Sequence, residues 1–250
     1  MLLVEDNSIN QEVACGLLRL LGLTVEVAED GRQAVDRAAA SAYDLILMDV
    51  QMPSMDGLEA TALIRSQPGG AAVPIIAMTA DAGASDRERC LAAGMNDHLA
   101  KPIGLSTLIA TLARWLRPGT PLASIDAAAV APQAPSPLEL TGVDSSMGMK
   151  IAAGDIGAFH DLMRRFIDCA AGDIAAVRDA LGEDRRDEAR RHAHSIAGSA
   201  AMIGANELSR HALGLLGALR ANEAPAQVVG FIADFELALG RLDTELRRVA

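Results

Sequence analysis

Along the first 117 residues, short apolar runs alternate with longer amphipathic stretches. Met1-Leu2-Leu3-Val4 halts at Glu5-Asp6, and apolar runs this short that stop on charge fit strands buried on both faces of a parallel sheet. Asn7 or Ser8 can cap a following helix, in which Ile9, Val13, Leu17, Leu20 and Leu21 recur at helical spacing until Gly22 ends it. Thr24 to Ala28 alternates like a second strand, and Gly31 to Ala40 resumes the helical period. The cycle repeats with a strand at Leu45–Met48, a helix at Leu58–Arg65, a loop at Gln67-Pro68-Gly69-Gly70 and a strand at Val73–Met78. Asp86 to Ala93, closed by Gly94, predicts a helix, His98 to Ala100 a short strand, and Leu105 to Leu116 a last helix. Such alternation implies a parallel sheet with helices on both faces.

Pro118-Gly119 stops that helix. Residues 119–146 are rich in Pro and Ala, carry little charge and show no sustained apolar period, which predicts a flexible tether. A segment of about 28 such residues spans roughly 30 Å on root-mean-square terms. From residue 147 to 250 the pattern is helical throughout. Phe159, Leu162, Phe166, Ala170, Ile174, Val177 and Leu181 form one stripe; Leu208, Ala212, Leu215 and Leu219 a second; Val228, Ile232, Phe235, Leu239 and Leu242 a third. Between the first two lies a helix from about Arg185 to Ile203. Four helices with short connections predict an antiparallel bundle. The expected organisation is therefore an α/β domain over 1–118, a tether over 119–146 and an all-α domain over 147–250.

Composition sharpens this picture. Half of the 250 residues are hydrophobic, so each domain can bury a core, and only 2 % are aromatic, which suits Ala- and Leu-rich helices. A net charge of -11 argues against nucleic acid as the main partner. Cys15, Cys90 and Cys169 are odd in number and widely spaced, which predicts free thiols in a reducing compartment. No signal-peptide pattern opens the chain and no apolar stretch approaches the roughly 18–20 residues of a membrane span, so a cytoplasmic location is expected.

In open parallel sheets, ligands sit beyond the carboxyl ends of the strands. Here those ends carry Glu5-Asp6, Asp49, Thr79 and Lys101-Pro102. Carboxylates converging on one rim repel one another, and a hard divalent cation such as Mg²⁺ (or Mn²⁺) relieves that. Lys101 offers a point charge to a phosphoryl oxygen and Thr79 a hydroxyl donor. Together these residues predict a phosphoryl-transfer site in which Asp49 is the nucleophile and becomes an aspartyl phosphate. A hydrolase with an Asp-x-Asp pair is the rival for Asp49, but residue 51 is Gln, so the second carboxylate is missing.

Leu3-Val4-Glu5-Asp6-Asn7, Leu47-Met48-Asp49-Val50-Gln51-Met52-Pro53, Met55-Asp56-Gly57, Met78-Thr79-Ala80 and Lys101-Pro102-Ile103 together resemble the receiver domain of two-component response regulators. The resemblance implies a five-stranded parallel sheet in the order 2-1-3-4-5. It also implies that Asp49 is the phosphoacceptor, that Glu5, Asp6, Asp49 and the Gln51 backbone carbonyl hold the metal, and that Lys101 contacts the phosphoryl group. Thr79 and the ring at position 98 would form a switch pair. His98 departs from the usual Tyr or Phe there, which makes that switch weaker or pH-sensitive.

On a wheel of 100° per residue, Ala189, Ala193, Ile196, Ala200 and Ile203 cluster as the core face of the second bundle helix. His194 falls about 140° away, toward solvent, and His192 about 60° away, at the margin of the core. Gly198 and Ala201 lie one and two turns beyond His194, with Arg190 and Arg191 one turn before it. The run Ala193-His194-Ser195-Ile196-Ala197-Gly198-Ser199-Ala200 resembles the motif of histidine phosphotransfer (HPt) domains. The resemblance extends over roughly residues 143–248 and implies that His194 carries phosphate. Gly198, with Ala201, Arg190 and Arg191, would form the docking surface. Ala197 stands where the family commonly has a phosphate-supporting lysine, and Arg190 or Arg191 is expected to substitute in part. His160, His192 and His211 read as structural or incidental.

The expected function is a phosphorelay module, fed by a histidine kinase at Asp49 and exchanging with His194 and with a further receiver or HPt protein. No ATP-binding glycine motif and no kinase dimerisation helix is visible, and the first strand begins almost at residue 1. These features suggest a minimal protein or the C-terminal part of a hybrid sensor kinase, the cytoplasmic part of a membrane-bound one included, with no direct membrane contact of its own. Two alternatives stay open: a phosphorylation-regulated scaffold with a degenerate HPt domain, and a phosphate sink that hydrolyses at Asp49.

Overall fold

The computed structural model describes residues 1–79, 84–116, 140–152 and 154–249. Ala80 of the sequence motif and residues 119–139 of the expected tether lie outside the described residues. The chain divides into two compact units, Met1–Ala129 and Val130–Ala250. No helix among the described residues is long and apolar enough to cross a membrane.

The first unit is the expected parallel sheet, in the order β2-β1-β3-β4-β5. Its strands are β1 (Leu2–Val4), β2 (Glu26–Ala28), β3 (Ile46–Asp49), β4 (Ile75–Thr79) and β5 (Asp97–Ala100). Its helices are α1 (Ser8–Leu20), α2 (Gly31–Ala40), α3 (Gly57–Ser66), α4 (Ala84–Ala92) and α5 (Leu105–Trp115). β1, β3 and β4 are buried along their whole length, as helices on both faces require, whereas the edge strands β2 and β5 are half-exposed. Each fully buried Leu, Ile or Val contributes on the order of 1.5–3 kcal/mol relative to water. On α1 the buried stripe runs through Ile9, Val13, Leu17, Leu18 and Leu21, while Leu20, expected in it, is exposed. Register sets the strand ends level: Val4 lies beside Ala28 and Met48, Asp49 beside Met78, and Thr79 beside Ala100.

Two charged side chains fasten the unit away from that rim. Arg65, near the end of α3, donates from Nε to the Gly94 carbonyl at 2.8 Å and from Nη1 to the carbonyls of Val73 (2.8 Å) and Gly70. Its Nη2 reaches Asn96 Oδ1 at 2.7 Å, and that same oxygen accepts from the Ile75 N–H at 2.8 Å. One guanidinium thus closes the loop before β4 and the turn before β5, which is the planar, multi-donor task that arginine suits better than lysine. Asp97 on β5 accepts from Trp115 Nε1 and Arg114 Nη1 of α5, both at 2.9 Å. Burial pushes the Asp97 carboxyl up, but the Trp115, His98 and Arg114 donors outweigh it and hold it below the usual range.

The second unit is a helical bundle of α7 (Ile156–Gly182), α8 (Arg186–Ile203), α9 (Asn206–Arg220) and α10 (Pro225–Arg248). Phe159, Phe166 and Phe235 are fully buried at its centre, and the three predicted stripes line the core except for Leu181, which is half-buried. A short helix that the sequence pattern missed, α6 (Ser145–Ile151), precedes it, with Gly148 seated against the Phe159 ring. The stretch 140–146, expected as the end of the tether, instead packs on the bundle. Leu140 is buried, the Thr141 N–H donates to Glu245 Oε2 at 2.8 Å, and the Asp144 N–H donates to the Gly204 carbonyl at 2.8 Å. An apolar side chain and backbone donors that find partners make this segment part of the domain. Gly204 caps α8 at φ 85°, and a Cβ there would collide with the Asp144 carbonyl. His160 bonds the Leu246 carbonyl at 2.8 Å and His192 bonds Asp173 at 2.9 Å.

Replacing Arg65 with alanine removes every one of its bonds and leaves the Gly70, Val73 and Gly94 carbonyls to find new partners. The expected loss is about 2–4 kcal/mol of stability in the first unit. Urea unfolding followed by the fluorescence of Trp115, the chain's one tryptophan, measures it, and Arg65→Lys should recover only part of the loss.

Candidate functional site

The level strand ends bring Glu5, Asp49, Thr79 and Lys101 to one rim. Glu5 follows β1 directly and is 2 % exposed, while Asp6 is exposed. The chain turns there because Asn7 caps α1, its Oδ1 accepting from the Ile9 and Asn10 N–H groups at 3.0 and 3.1 Å. The first turn of the helix then reaches back. Asn10 Nδ2 donates to Glu5 Oε1 at 2.8 Å, and Gln11 Nε2 donates to the Glu5 carbonyl at 2.6 Å.

Asp49 closes β3 and is 3 % exposed. Its Oδ1 accepts from the Gln51 N–H at 3.1 Å, which turns the chain away from the strand. Gly57 then passes against that strand end: its N–H donates to the Val50 carbonyl at 3.0 Å, and a Cβ on it would collide with the Asp49 carbonyl. Only glycine lets α3 start so close. Asp56 caps it through the Glu59 N–H at 2.8 Å.

Lys101 joins the two buried carboxylates. Its Nζ lies 2.6 Å from Asp49 Oδ2 and 2.7 Å from Glu5 Oε2, and its side chain is 4 % exposed. Burial alone would lower the ammonium's pKa, but Asp49 and Glu5 outweigh it and hold the lysine charged, above its usual range. One cation cannot balance two anions. Burial is the largest influence on Glu5 and raises its carboxyl to about 7; Lys101 works against that rise and Asp49 adds to it. Glu5, Asp6 and Asp49 each bring a carboxylate oxygen within 4.8 Å of the others. Three carboxylates offering hard oxygen donors, with a single ammonium among them, fit a divalent cation.

The rest of the predicted set falls around this centre. Thr79 is buried at the end of β4. His98 is half-buried on β5 opposite Ala77, so Thr79 and His98 lie on the same face of the sheet, two residues out of register. Gln51 is exposed at the rim. Sequence reasoning missed Asn10 and Gln11. The available signal was Asn10 itself, a polar residue beside Ile9 on the apolar side of α1.

In the bundle, His194 lies on α8 and is half-buried, where the helical wheel predicted a solvent-facing ring. Helix α9 packs against α8, and Ser209 Oγ donates to the Ala197 carbonyl at 3.3 Å. Gly198 and Ala201 are half-exposed beside it, and Ala197 is buried. Arg190 is drawn back to Asp187 at 2.6 Å, whereas Arg191 is exposed.

A 2-1-3-4-5 sheet with an acidic rim bridged by one lysine is thus followed by a helical bundle whose α8 carries His194. Residues 1–113 match the response regulator receiver domain family, and residues 161–250 match the Hpt domain family. It is 37 % identical over 171 residues to the signal transduction histidine-protein kinase BarA of Escherichia coli (strain K12), covering 66 % of this chain and 18 % of that protein. It is 32 % identical over 257 residues to the sensor protein GacS of Pseudomonas syringae pv. syringae, covering 100 % of this chain and 28 % of that protein. The chain thus spans less than a third of the length of these curated relatives. Among solved structures it is 54 % identical to the receiver domain of sensor histidine kinase PA1611 from Pseudomonas aeruginosa PAO1, which has a magnesium ion coordinated in its active site cleft. That match covers 46 % of this chain and 93 % of that one, with a TM-score of 0.44. Domains of these two families interact with histidine kinases and with other receiver or Hpt proteins.

Gly57→Ala forces the Asp49 strand end and the start of α3 apart. The expected cost is about 1–3 kcal/mol in denaturant unfolding, with a larger loss in any reaction that needs the Asp49 carboxylate in place.

Proposed function

We propose that the chain is a phosphorelay module in which Asp49 takes a phosphoryl group from the phosphohistidine of a histidine kinase and can exchange it with a histidine such as His194. The observation that carries this reading is the buried Asp49–Lys101–Glu5 arrangement at the strand ends. An Asp49 carboxylate oxygen attacks the phosphorus, the N–P bond breaks, and the electron pair returns to the donor imidazole. Lys101, held charged and 2.6 Å from Asp49, neutralises charge on the transferring group, and the Thr79 hydroxyl donates to it. Glu5, Asp6, Asp49 and the Gln51 carbonyl would hold Mg²⁺ or Mn²⁺, which when bound supplies positive charge to the phosphoryl oxygens. Once Asp49 is modified, Thr79 and His98 would act as the switch pair on their shared face of the sheet.

His194 is read as the phosphocarrier, with Gly198, Ala201, Arg190 and Arg191 as the docking surface for a receiver. The half-exposed small residues beside the ring support that reading. Of the two arginines, Arg191 is the better phosphate partner because Arg190 is engaged by Asp187. A second reading, a scaffold whose bundle no longer transfers phosphate, is favoured by one observation: Ala197 is buried and offers no cation. The receiver is assigned to residues 1–118, and the bundle takes in the packed residues from 140 onward. The partners are a histidine kinase and a further receiver or Hpt protein in the cytoplasm, with neither nucleic acid nor membrane in direct contact.

The test uses wild type, Asp49→Asn and His194→Gln incubated with a phosphorylated histidine kinase and Mg²⁺. Acyl phosphate is lost in base and phosphohistidine in acid. Base-labile label should vanish in Asp49→Asn, and acid-labile label should vanish in His194→Gln. Absence of acid-labile label from every form favours the scaffold. Arg191→Ala should slow transfer to His194 about tenfold, in line with the loss of one charge-assisted contact, and Arg190→Ala should slow it less; wild-type rates in both variants would remove the arginines from the site.

A further inference from the structure

Asn10 stands out as a costly choice. It is 3 % exposed on the apolar side of α1, between Ile9 and Val13, where a leucine would pack without polar atoms to satisfy. Its Nδ2 is used, donating to Glu5 Oε1 at 2.8 Å, but its Oδ1 is buried without a hydrogen-bond partner. A buried amide oxygen left unpaired calls for an explanation in what it faces. The carboxylate on one side dictates that the amide nitrogen points to Glu5. The oxygen is bonded to the same carbon and therefore lies within about 5 Å of that carboxylate.

We infer that Asn10 is a positioning residue for the cation site, acting through Glu5. Its N–H fixes Oε1, so that Oε2 is presented to the rim, where it now meets Lys101 Nζ at 2.7 Å. Gln11 fixes the Glu5 carbonyl from the same helical turn, so neither end of this residue is left to swing. The unpaired Oδ1 is the cost of that placement, which an apolar residue in the same position would not incur. This rests on reading Glu5, Asp6 and Asp49 as a cation site.

Mg²⁺ alone is titrated calorimetrically into the full chain, as wild type, Asn10→Leu and Asn10→Ala, and thermal midpoints are recorded in chelator. Loss of a group that orients a metal ligand typically weakens affinity by about 10–100-fold. The expectation is a Mg²⁺ affinity at least about tenfold weaker in Asn10→Leu and in Asn10→Ala, with a cooperative thermal transition in chelator showing that each variant is folded. Should Asn10→Leu fail to fold, Asn10→Ala gives the same reading of affinity. If wild type binds Mg²⁺ and the folded variants bind it within twofold, Asn10 is only a packing residue and the inference is overturned. If wild type itself binds no Mg²⁺, the cation-site reading fails first and takes the inference with it.

Discussion

Two buried carboxylates share one ammonium at the strand ends, and the first unit is arranged to hold that imbalance. Lys101 reaches both Asp49 and Glu5 at hydrogen-bond distance, which leaves one negative charge more than the lysine can cancel. The Glu5 carboxyl is raised to about 7, chiefly by burial, with Lys101 opposing the rise and Asp49 adding to it. Isolated burial of such charge is unfavourable by several kcal/mol per ion. The site persists because the surrounding elements supply donors: the Gln51 N–H to Asp49, the Asn10 amide to Glu5, and the turn that Asn7 caps. A centre that is short of positive charge and built of oxygens fits a divalent cation.

The bundle works by different means. Its centre is aromatic and aliphatic, with Phe159, Phe166 and Phe235 fully buried, and His194 is half-buried on α8. The segment from Leu140 to Asp144 is fastened across the bundle by backbone bonds to Glu245 and Gly204. Its domain therefore begins earlier in the chain than the start of uninterrupted helical patterning.

Much of this was legible in the sequence, for physical reasons. Parallel strands buried on both faces must be short continuous apolar runs, so β1, β3 and β4 and the charged residues that end them stood out. The stripes of α7, α9 and α10 were legible for the same reason, as each has one apolar face. What stayed hidden depends on contacts between distant segments. Arg65 reads as an ordinary basic residue in the last turn of α3, and its bonds to Gly94 and Asn96 exist only once the sheet is assembled. Helix α6, Ser-Ser-Met-Gly-Met-Lys-Ile, is too short and too rich in Ser and Gly to show a period. Leu140 sits in a proline-rich context that masks its burial. The His194 ring is less open than its wheel position suggested, because the neighbours a helix meets in a bundle are not visible in the angles of a single helix.

The central claim, that Asp49 is the residue modified, has a direct chemical test. The full chain is phosphorylated with a small acyl phosphate in Mg²⁺, reduced with borohydride and mapped by mass spectrometry, since an aspartyl phosphate is reduced to homoserine. The account predicts homoserine at position 49 and nowhere else on the rim. Phosphorylated chain that yields homoserine at another position, with residue 49 still aspartate, would contradict it.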